Sequence, residues 1–457
     1  VSTDPPTTLS PRDGASTGSG LLRALGLWDS VSLIMGIMVG SGIFLMAGSI
    51  ALEIDSLWVV LAVWAFGGLL SLCGAVALSE LGAALPEAGG LYVYLTRAYG
   101  RKVGFVYGWS VMALIHAGGL ATLAAAIGLH VGPIVGLSGP QQKLLQLACL
   151  AVFVVINCLG VSVGKWVQNA LTIAKVAGLA IMTAFLYSAG SAAVLERHLG
   201  APSSTLSIAS LGVALVAVLW AFDGWHFVSF AAGEVKQPSR NIPRSLIIGT
   251  SLTLLIYLLV NFAYYLVLPP EAIRRNHRVA AAAVEHAFGS GAGLLISLLI
   301  SVAILGAMNG IMLGASRVIF AMAQDGLFFR GFARLSPRFR TPVVAIIAQG
   351  VFAAAFTLAG SFQQLFTSYV FTSWIFYGLA VGGVMVLRYR EPELERPYRC
   401  PLYPVAPLFF LVATTAIVIS TFVAQFWQAL LGVGLILLGL PLYFLFRLVD
   451  SRRMARD

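Results

Sequence analysis

The chain has 457 residues, of which 59% are hydrophobic and only 10% charged; its mean hydropathy is +0.91 and its formal net charge +10. Soluble domains carry about 25% charged residues, so this composition excludes a soluble enzyme. Apolar runs of about 20 residues recur, each long enough to cross about 30 Å of hydrocarbon, whereas an outer-membrane barrel would alternate in segments of about 10.

Residues 1–22 open with VSTDPPTTLSPRDGASTGSG, polar and rich in Pro, Ser, Thr and Gly, which predicts a disordered cytoplasmic tail. They hold no apolar signal-peptide core. Twelve spans follow, at roughly 28–52, 57–81, 103–130, 144–161, 166–189, 208–232, 245–268, 291–320, 343–360, 364–387, 405–425 and 428–448. With both termini inside, 22 of the 28 Lys and Arg fall in inside segments or, for Arg317 and Arg447, at the inside ends of spans, and five in outside loops (Lys143, Arg197, Arg274, Arg275 and Arg278). The last, Lys175, lies within a span. That asymmetry orients a multi-pass protein of the cytoplasmic (inner) membrane with both termini cytoplasmic. The loop of Arg274, Arg275 and Arg278 runs against the trend, but the basic charge as a whole encodes topology rather than a nucleic-acid partner.

The first span contains MVGSGIFLMAG, residues 38–48, where Gly40, Ser41 and Gly42 weaken a helix in mid-membrane. In the fifth span, NALTIAKVAGL places Lys175 about nine residues, or roughly 14 Å, past a start near Trp166. Its stem reaches only ~6 Å, too short to snorkel to the inside surface. An unpaired ammonium there costs at least ~2.5 kcal/mol, so Lys175 should face the protein interior and bond carbonyls or hydroxyls. The sixth span, VLWAFDGWHFVSFAAGE at 218–234, carries Asp223 and Gly224 near its middle. The two interrupted spans each open a block of five, and an odd block reverses the entry side of the next: the signature of an inverted repeat.

The fold class is therefore an all-α membrane protein of twelve transmembrane helices, a five-plus-five inverted repeat with broken first and sixth helices, plus two. Its parts are a tail to residue 22, a first repeat over 23–189, a second over 208–387, the last two helices within 388–448 and a cytoplasmic tail over 449–457. Irregular backbone survives in a bilayer only where protein or a water-filled cavity covers it. A break exposes N–H groups at one half-helix start and C=O groups at the other's end. The first suits a carboxylate and the second an ammonium, so two breaks meeting at the midplane suit the head group of an α-amino acid. The competing reading of Gly40, Ser41 and Gly42 is close helix packing of small residues.

Four stretches, in order, resemble the amino acid–polyamine–organocation (APC) superfamily, closest to its L-type amino acid transporter branch and bacterial relatives. They are GSGIF (40–44), SELGAALPEAGGLYVYLTRAYG (79–100), FDGW with GEVKQPSRNIPRS (222–225 and 233–245), and NGIMLGASRVIFAMAQDGLFF with RTPVVAI (309–329 and 340–346). The resemblance implies secondary transport of L-amino acids by alternating access, as sodium-independent exchange of neutral substrates. A cationic exchanger for Arg, Lys or ornithine, or a proton-coupled permease, is the alternative. Carried over, the substrate carboxylate meets Ser41, Gly42 and Ile43, and the ammonium meets the carbonyls of Met38, Trp220 and Asp223. Gly40, Ala221, Phe222 and Gly224 complete the binding stretches, and Trp220 takes the place of an aromatic gate. In sodium-independent members a fifth-helix lysine replaces a sodium ion, a role that falls on Lys175 and would clamp the first helix near Gly36 to Gly40. Animal light chains bond a heavy chain through a cysteine after the third helix. The loop 130–143 has none, so no covalent heavy-chain partner is expected. Asp223 departs from the many relatives that are small at this position; it would either attract cationic side chains or pair within the protein.

Elsewhere, His226 could line the pathway, and Asn309 could couple helices or touch substrate. His116, His130 and His226 could serve metal or proton work, although His130 sits at a helix end. Glu80, Glu234 and Asp325 fall at cytoplasmic helix ends as candidates for ion pairs or simple solvation. Cys73, Cys149 and Cys158 lie in spans and Cys400 in a loop, with no metal-ligand spacing and no disulfide framework. No cofactor or metal is implied. The sequence has no P-loop, G-x-S-x-G or H-E-x-x-H, which argues against an enzyme or an ATP-driven pump. Amino acids and membrane lipid remain as the partners.

Overall fold

The computed structural model describes residues 20–132, 134–200, 207–274, 276, 278–359 and 362–454. Most of the expected leading tail, Arg275 and the last three residues lie outside them. The first span is two half-helices, α1 (Leu27–Met38) and α2 (Gly42–Glu53), followed by α3 (Leu57–Ala84) and the short α4 (Leu91–Tyr99). The third span is α5 (Arg101–Ser110), a π-turn (Val111–Ile115) and α6 (His116–Val131); α7 (Gly139–Cys158) and α8 (Val161–Ala189) are the fourth and fifth. After a short α9 (Ala192–Gly200), α10 (Ile208–Ala221) opens the sixth span and α11 (Pro238–Val267) forms the seventh. Two more short helices, α12 (Pro270–Ile273) and α13 (Val279–Phe288), precede the eighth, α14 (Gly293–Gln324). The remaining spans are α15 (Val343–Ala359), α16 (Phe362–Arg390), α17 (Val405–Ala424) and α18 (Phe426–Met454).

Among the described residues, ten stretches are long and apolar enough to cross a membrane; α10 and α15 are shorter apolar helices that supply the sixth and ninth spans. Large apolar side chains face outward all round, among them Ile173, Ile181 and Phe185 of α8 and Val412, Ile419 and Val423 of α17. That is the exterior of a protein solvated by lipid.

The two blocks pack by one rule applied twice. The second span packs on the seventh (α3 on α11), the third on the eighth (α6 on α14) and the fourth on the ninth (α7 on α15). The first-on-seventh packing (α1 on α11) is matched by sixth-on-second (α10 on α3), and fifth-on-eighth (α8 on α14) by tenth-on-third (α16 on α6). Exchanging spans one to five with spans six to ten turns each of these contacts into another observed one, as expected of a duplicated five-helix unit.

The break expected in the sixth span is present, but among the described residues no second half-helix follows it. Its helix ends at Ala221, Gly224 turns at φ +110°, and 3-10 turns follow at Phe227–Ser229 and Ala232–Glu234. Bonds three residues apart satisfy this stretch, including Phe227 N to Gly224 O (3.1 Å), Ser229 N to His226 O (3.0 Å) and Glu234 N to Ala231 O (2.8 Å). A full helix is thus replaced by tighter turns that keep the backbone bonded inside the protein. Arg317, counted above with the inside charges, lies within α14 and is fully buried.

Candidate substrate site

The two breaks lie against one another. α1 ends at Met38, and the first bonds of α2 run from Phe44 N and Leu45 N to Ser41 O (3.1 and 3.0 Å). As at any helix start, the N–H groups ahead of those bonds point out of the helix end. A Cβ on Gly42 would stand 2.6 Å from Ala221 Cα, and one on Gly224 would stand 2.5 Å from Ile37 Cγ2. At Gly42 backbone meets backbone and at Gly224 it meets the Ile37 side chain, and neither approach leaves room for a Cβ.

Tyr257 of α11 ties the breaks together. Its buried hydroxyl lies 2.5 Å from Met38 O and 2.9 Å from Ala221 O, the carbonyl ends of α1 and α10. One hydroxyl proton serves two acceptors, so the pair shares a single donor. Met38 O also accepts from Gly40 N at 2.7 Å. Sequence reading missed this tyrosine; its only signal was a hydroxyl inside the apolar run LLIYLLVN.

Around the breaks lies a small cavity lined by Met38, Gly40, Ser41, Gly42, Trp220, Asp223, and residues of the third, eighth and tenth spans, including Gly119, Ala307 and Tyr369. Ser41 Oγ is buried in that wall and has no hydrogen-bond partner among the described residues. Asp223 is 8% exposed and accepts a 2.8 Å hydrogen bond from the Tyr377 hydroxyl. The arrangement offers N–H groups, a hydroxyl and carbonyl ends at one spot, a set of partial charges complementary to a small zwitterion.

A family model for amino acid permeases matches residues 25–441. The chain belongs to the amino acid permease family. The permease is 31% identical over 434 residues to the serine/threonine exchanger SteT of Bacillus subtilis (strain 168), covering 93% of this chain and 97% of that one. It is 30% identical over 434 residues to the human b(0,+)-type amino acid transporter 1, covering 93% and 88%. The mouse Asc-type amino acid transporter 1 is 27% identical over 443 residues, covering 94% and 82%.

The remaining sequence candidates sit around the permease's cavity rather than in its wall. Ile43 and Ala221 are buried where α2 and α10 touch. Phe222 packs on Trp64 and Tyr257, with ring centroids 6.1 and 4.9 Å away. His226 lies past the break among aromatic rings. Asn309 is a helix tie: its side chain donates to Gly164 O and Gln168 Oε1 (3.0 and 2.9 Å) and accepts from Asn157 Nδ2 at 3.0 Å. Lys175, fully buried, donates to Gly36 O at 2.5 Å and reaches Ala303 O at 3.4 Å. It joins α8 to α1 just before the break, and a Cβ on Gly306 would come within 2.9 Å of its Nζ.

On the face that carries the N-terminal segment the permease is closed. Glu234 and Arg317 form a two-pronged ion pair, 3.0 Å at each prong, with both side chains at most 1% exposed. Leu25 runs parallel to Val235, bonded through Leu25 N to Glu234 O (2.9 Å) and Lys236 N to Leu25 O (2.8 Å). Glu80, also buried, is held by Arg388 (2.5 Å), Arg396 (3.2 Å) and the Cys400 N–H (2.8 Å). Outside the spans, Tyr92 donates to Asp325 at 2.7 Å; burial first and the neighbouring carboxylate second push its phenol well above the usual range, so it stays a donor.

Proposed function

We propose that this permease exchanges L-amino acids across a cytoplasmic membrane by alternating access, without sodium and with a preference for neutral substrates. The observation that carries the reading is the meeting of two helix breaks on one cavity, with Ser41 Oγ and the first N–H groups of α2 beside the carbonyl ends of α1 and α10. The carboxylate takes Ser41, Gly42 and Ile43; hydrogen bonds to a charged group contribute about 1.5–3 kcal/mol each. The ammonium takes the carbonyl side, at Met38, Trp220 and Asp223. Because Met38 O already accepts twice, the ammonium must displace the Tyr257 hydroxyl or use its neighbours. Trp220, in the cavity wall, acts as the aromatic gate.

Lys175 supplies the fixed charge on the first helix that makes sodium unnecessary, and the blocks 23–189 and 208–387 are the repeats that move. Both termini face the cytoplasm, as the basic loops require. The closed terminal face then gives a cavity reached from outside. The protein works as a carrier rather than an enzyme, with no covalent heavy chain. Relatives named for serine/threonine exchange and for b(0,+)-type transport support amino acids as cargo. The Asp223 carboxylate in the wall favours a second reading, exchange of cationic amino acids.

The experiment is uptake of labelled amino acids by liposomes holding the purified protein, over neutral, cationic and acidic substrates. Internal amino acid should stimulate uptake, and decarboxylated or N-acylated analogues should compete poorly whatever their side chain. Equal competition by analogues lacking the carboxylate would remove the head-group site.

A further inference from the structure

Gln168 of α8 fills a notch in the first helix that is open because residue 36 is glycine. A Cβ on Gly36 would overlap Gln168 Nε2 and stand 2.6 Å from Thr172 Oγ1. Gln168 is 1% exposed, and it belongs neither to the cavity wall nor to the ion pairs of the closed face.

The direction of its amide is fixed by a chain of three. Phe153 O and Gly164 O can only accept, so the atoms that face them are the Nδ2 groups of Asn157 (2.9 Å) and Asn309 (3.0 Å). Asn157 Nδ2 donates onward to Asn309 Oδ1 at 3.0 Å, and Asn309 Nδ2 donates to Gln168 Oε1 at 2.9 Å. Gln168 therefore turns its oxygen to α14 and its nitrogen to α1. Among the described residues that nitrogen bonds only Thr172 Oγ1, at a long 3.5 Å.

Gln168, Thr172 and Lys175 are spaced four and three apart, on one face of α8. All three meet α1: Thr172 Oγ1 donates to Ser32 O at 3.1 Å, and Lys175 Nζ donates to Gly36 O. Against α11 the contact is apolar, where a Cβ on Gly249 would lie 2.9 Å from Ile34 Cγ2. The first helix thus has an apolar seat on α11 and a polar one on α8. An apolar seat loses its stabilisation when water enters. A polar one is satisfied by protein when dry and by water when wet. Along α1, Gly36 falls between Leu25 at the closed face and Met38 in the cavity wall.

We propose that Gln168 is a positioning residue for the turn of the site to the inside: its amide, aimed by Asn157 and Asn309, seats α1 while the inner side is closed and takes water when α1 leaves the notch. The first helix then travels with α11, and the seam between α1 and α8 is the one that opens. This rests on the alternating-access reading. A short side chain at 168 empties the notch and frees α1, so more carriers face the inside. A long apolar one fills the notch but resists water, so fewer do.

The test measures exchange of labelled alanine or leucine from each side of liposomes of known sidedness that hold the full-length protein. The half-saturating concentration on one side is the intrinsic constant divided by the fraction of carriers open to that side. In Gln168→Ser the ratio of inside to outside half-saturation should fall at least about threefold, and in Gln168→Leu it should rise at least about threefold. Gln168→Met, a second long apolar side chain, should follow Gln168→Leu and replaces it where that variant does not fold. The ratio counts active carriers only, so a loss of folded protein leaves it in place. A ratio that keeps its native value, or that moves the same way for the short and the long side chains, overturns this proposal and leaves amino acid exchange standing. A native protein that exchanges no amino acid overturns both.

Discussion

Consider replacing Arg317 by methionine. The Glu234 carboxylate is fully buried, and both of its oxygens bond Arg317, at 3.0 Å each. Removing the arginine leaves a buried anion without that partner, a change that costs about 3–5 kcal/mol in comparable pairs. Glu234→Gln is milder for a structural reason. Arg317 keeps its bonds to Leu313 O (2.6 Å) and Ser316 Oγ (3.0 Å), and the new amide oxygen can still accept from it. The loss is then about 1.5–3 kcal/mol, the range for hydrogen bonds to a charged group. In Glu234→Gln/Arg317→Met the orphan charge is gone, so the double variant should be more stable than Arg317→Met alone. Unfolding in mixed micelles gives the double-mutant cycle, and the coupling should be at least about 1 kcal/mol. Because the pair also closes the terminal face, a cysteine placed on that face should label faster in both single variants. Equal, small losses for the two single variants, with additive effects in the double, would refute the reasoning.

Three further expectations concern the site. Lys175→Met should cut uptake severely while the protein remains folded, and replacing sodium by choline at fixed pH should leave native uptake unchanged; a strict sodium requirement would contradict the role given to the lysine. Gly42→Ala should destabilise the protein by about 1–3 kcal/mol through overpacking. Ala221→Gly should not rescue it, because the nearest atom is the Ala221 Cα at 2.6 Å, whereas the Gly108→Ala clash is with the flexible Met322 Sδ and should be rescued by Met322→Ala. Asp223→Asn should lose lysine and arginine uptake selectively and spare alanine and leucine if the carboxylate reads a cationic side chain; an equal loss for every substrate, matched by Tyr377→Phe, would assign it to helix structure instead.

The sequence alone settled what depends on distance along one helix. Hydropathy over about 20 residues located the spans; glycines and a serine marked the break in the first, and Asp223 with Gly224 the break in the sixth. A lysine too deep to reach water had to turn inward, a conclusion that needs only the rise per residue and the length of its stem. What the sequence left open were partners far apart in the chain. Met38 and Tyr257 are 219 residues apart, and Asp223 and Tyr377 are 154 apart. Nothing in either local pattern names the other, because in a membrane interior every span offers a similar apolar surface. For the same reason Glu234, at a helix end in the sequence, turned out to be locked to Arg317 in the core, and Asn309 became a tie among three helices. The stretch after Gly224 is the clearest case. Its composition suits a buried helix, yet the first-span break lies against Gly224 and Gly89 N bonds Phe230 O, and the backbone takes tight turns instead. Periodicity measures which residues avoid water, whereas the space available to the backbone is set by the helices packed around it.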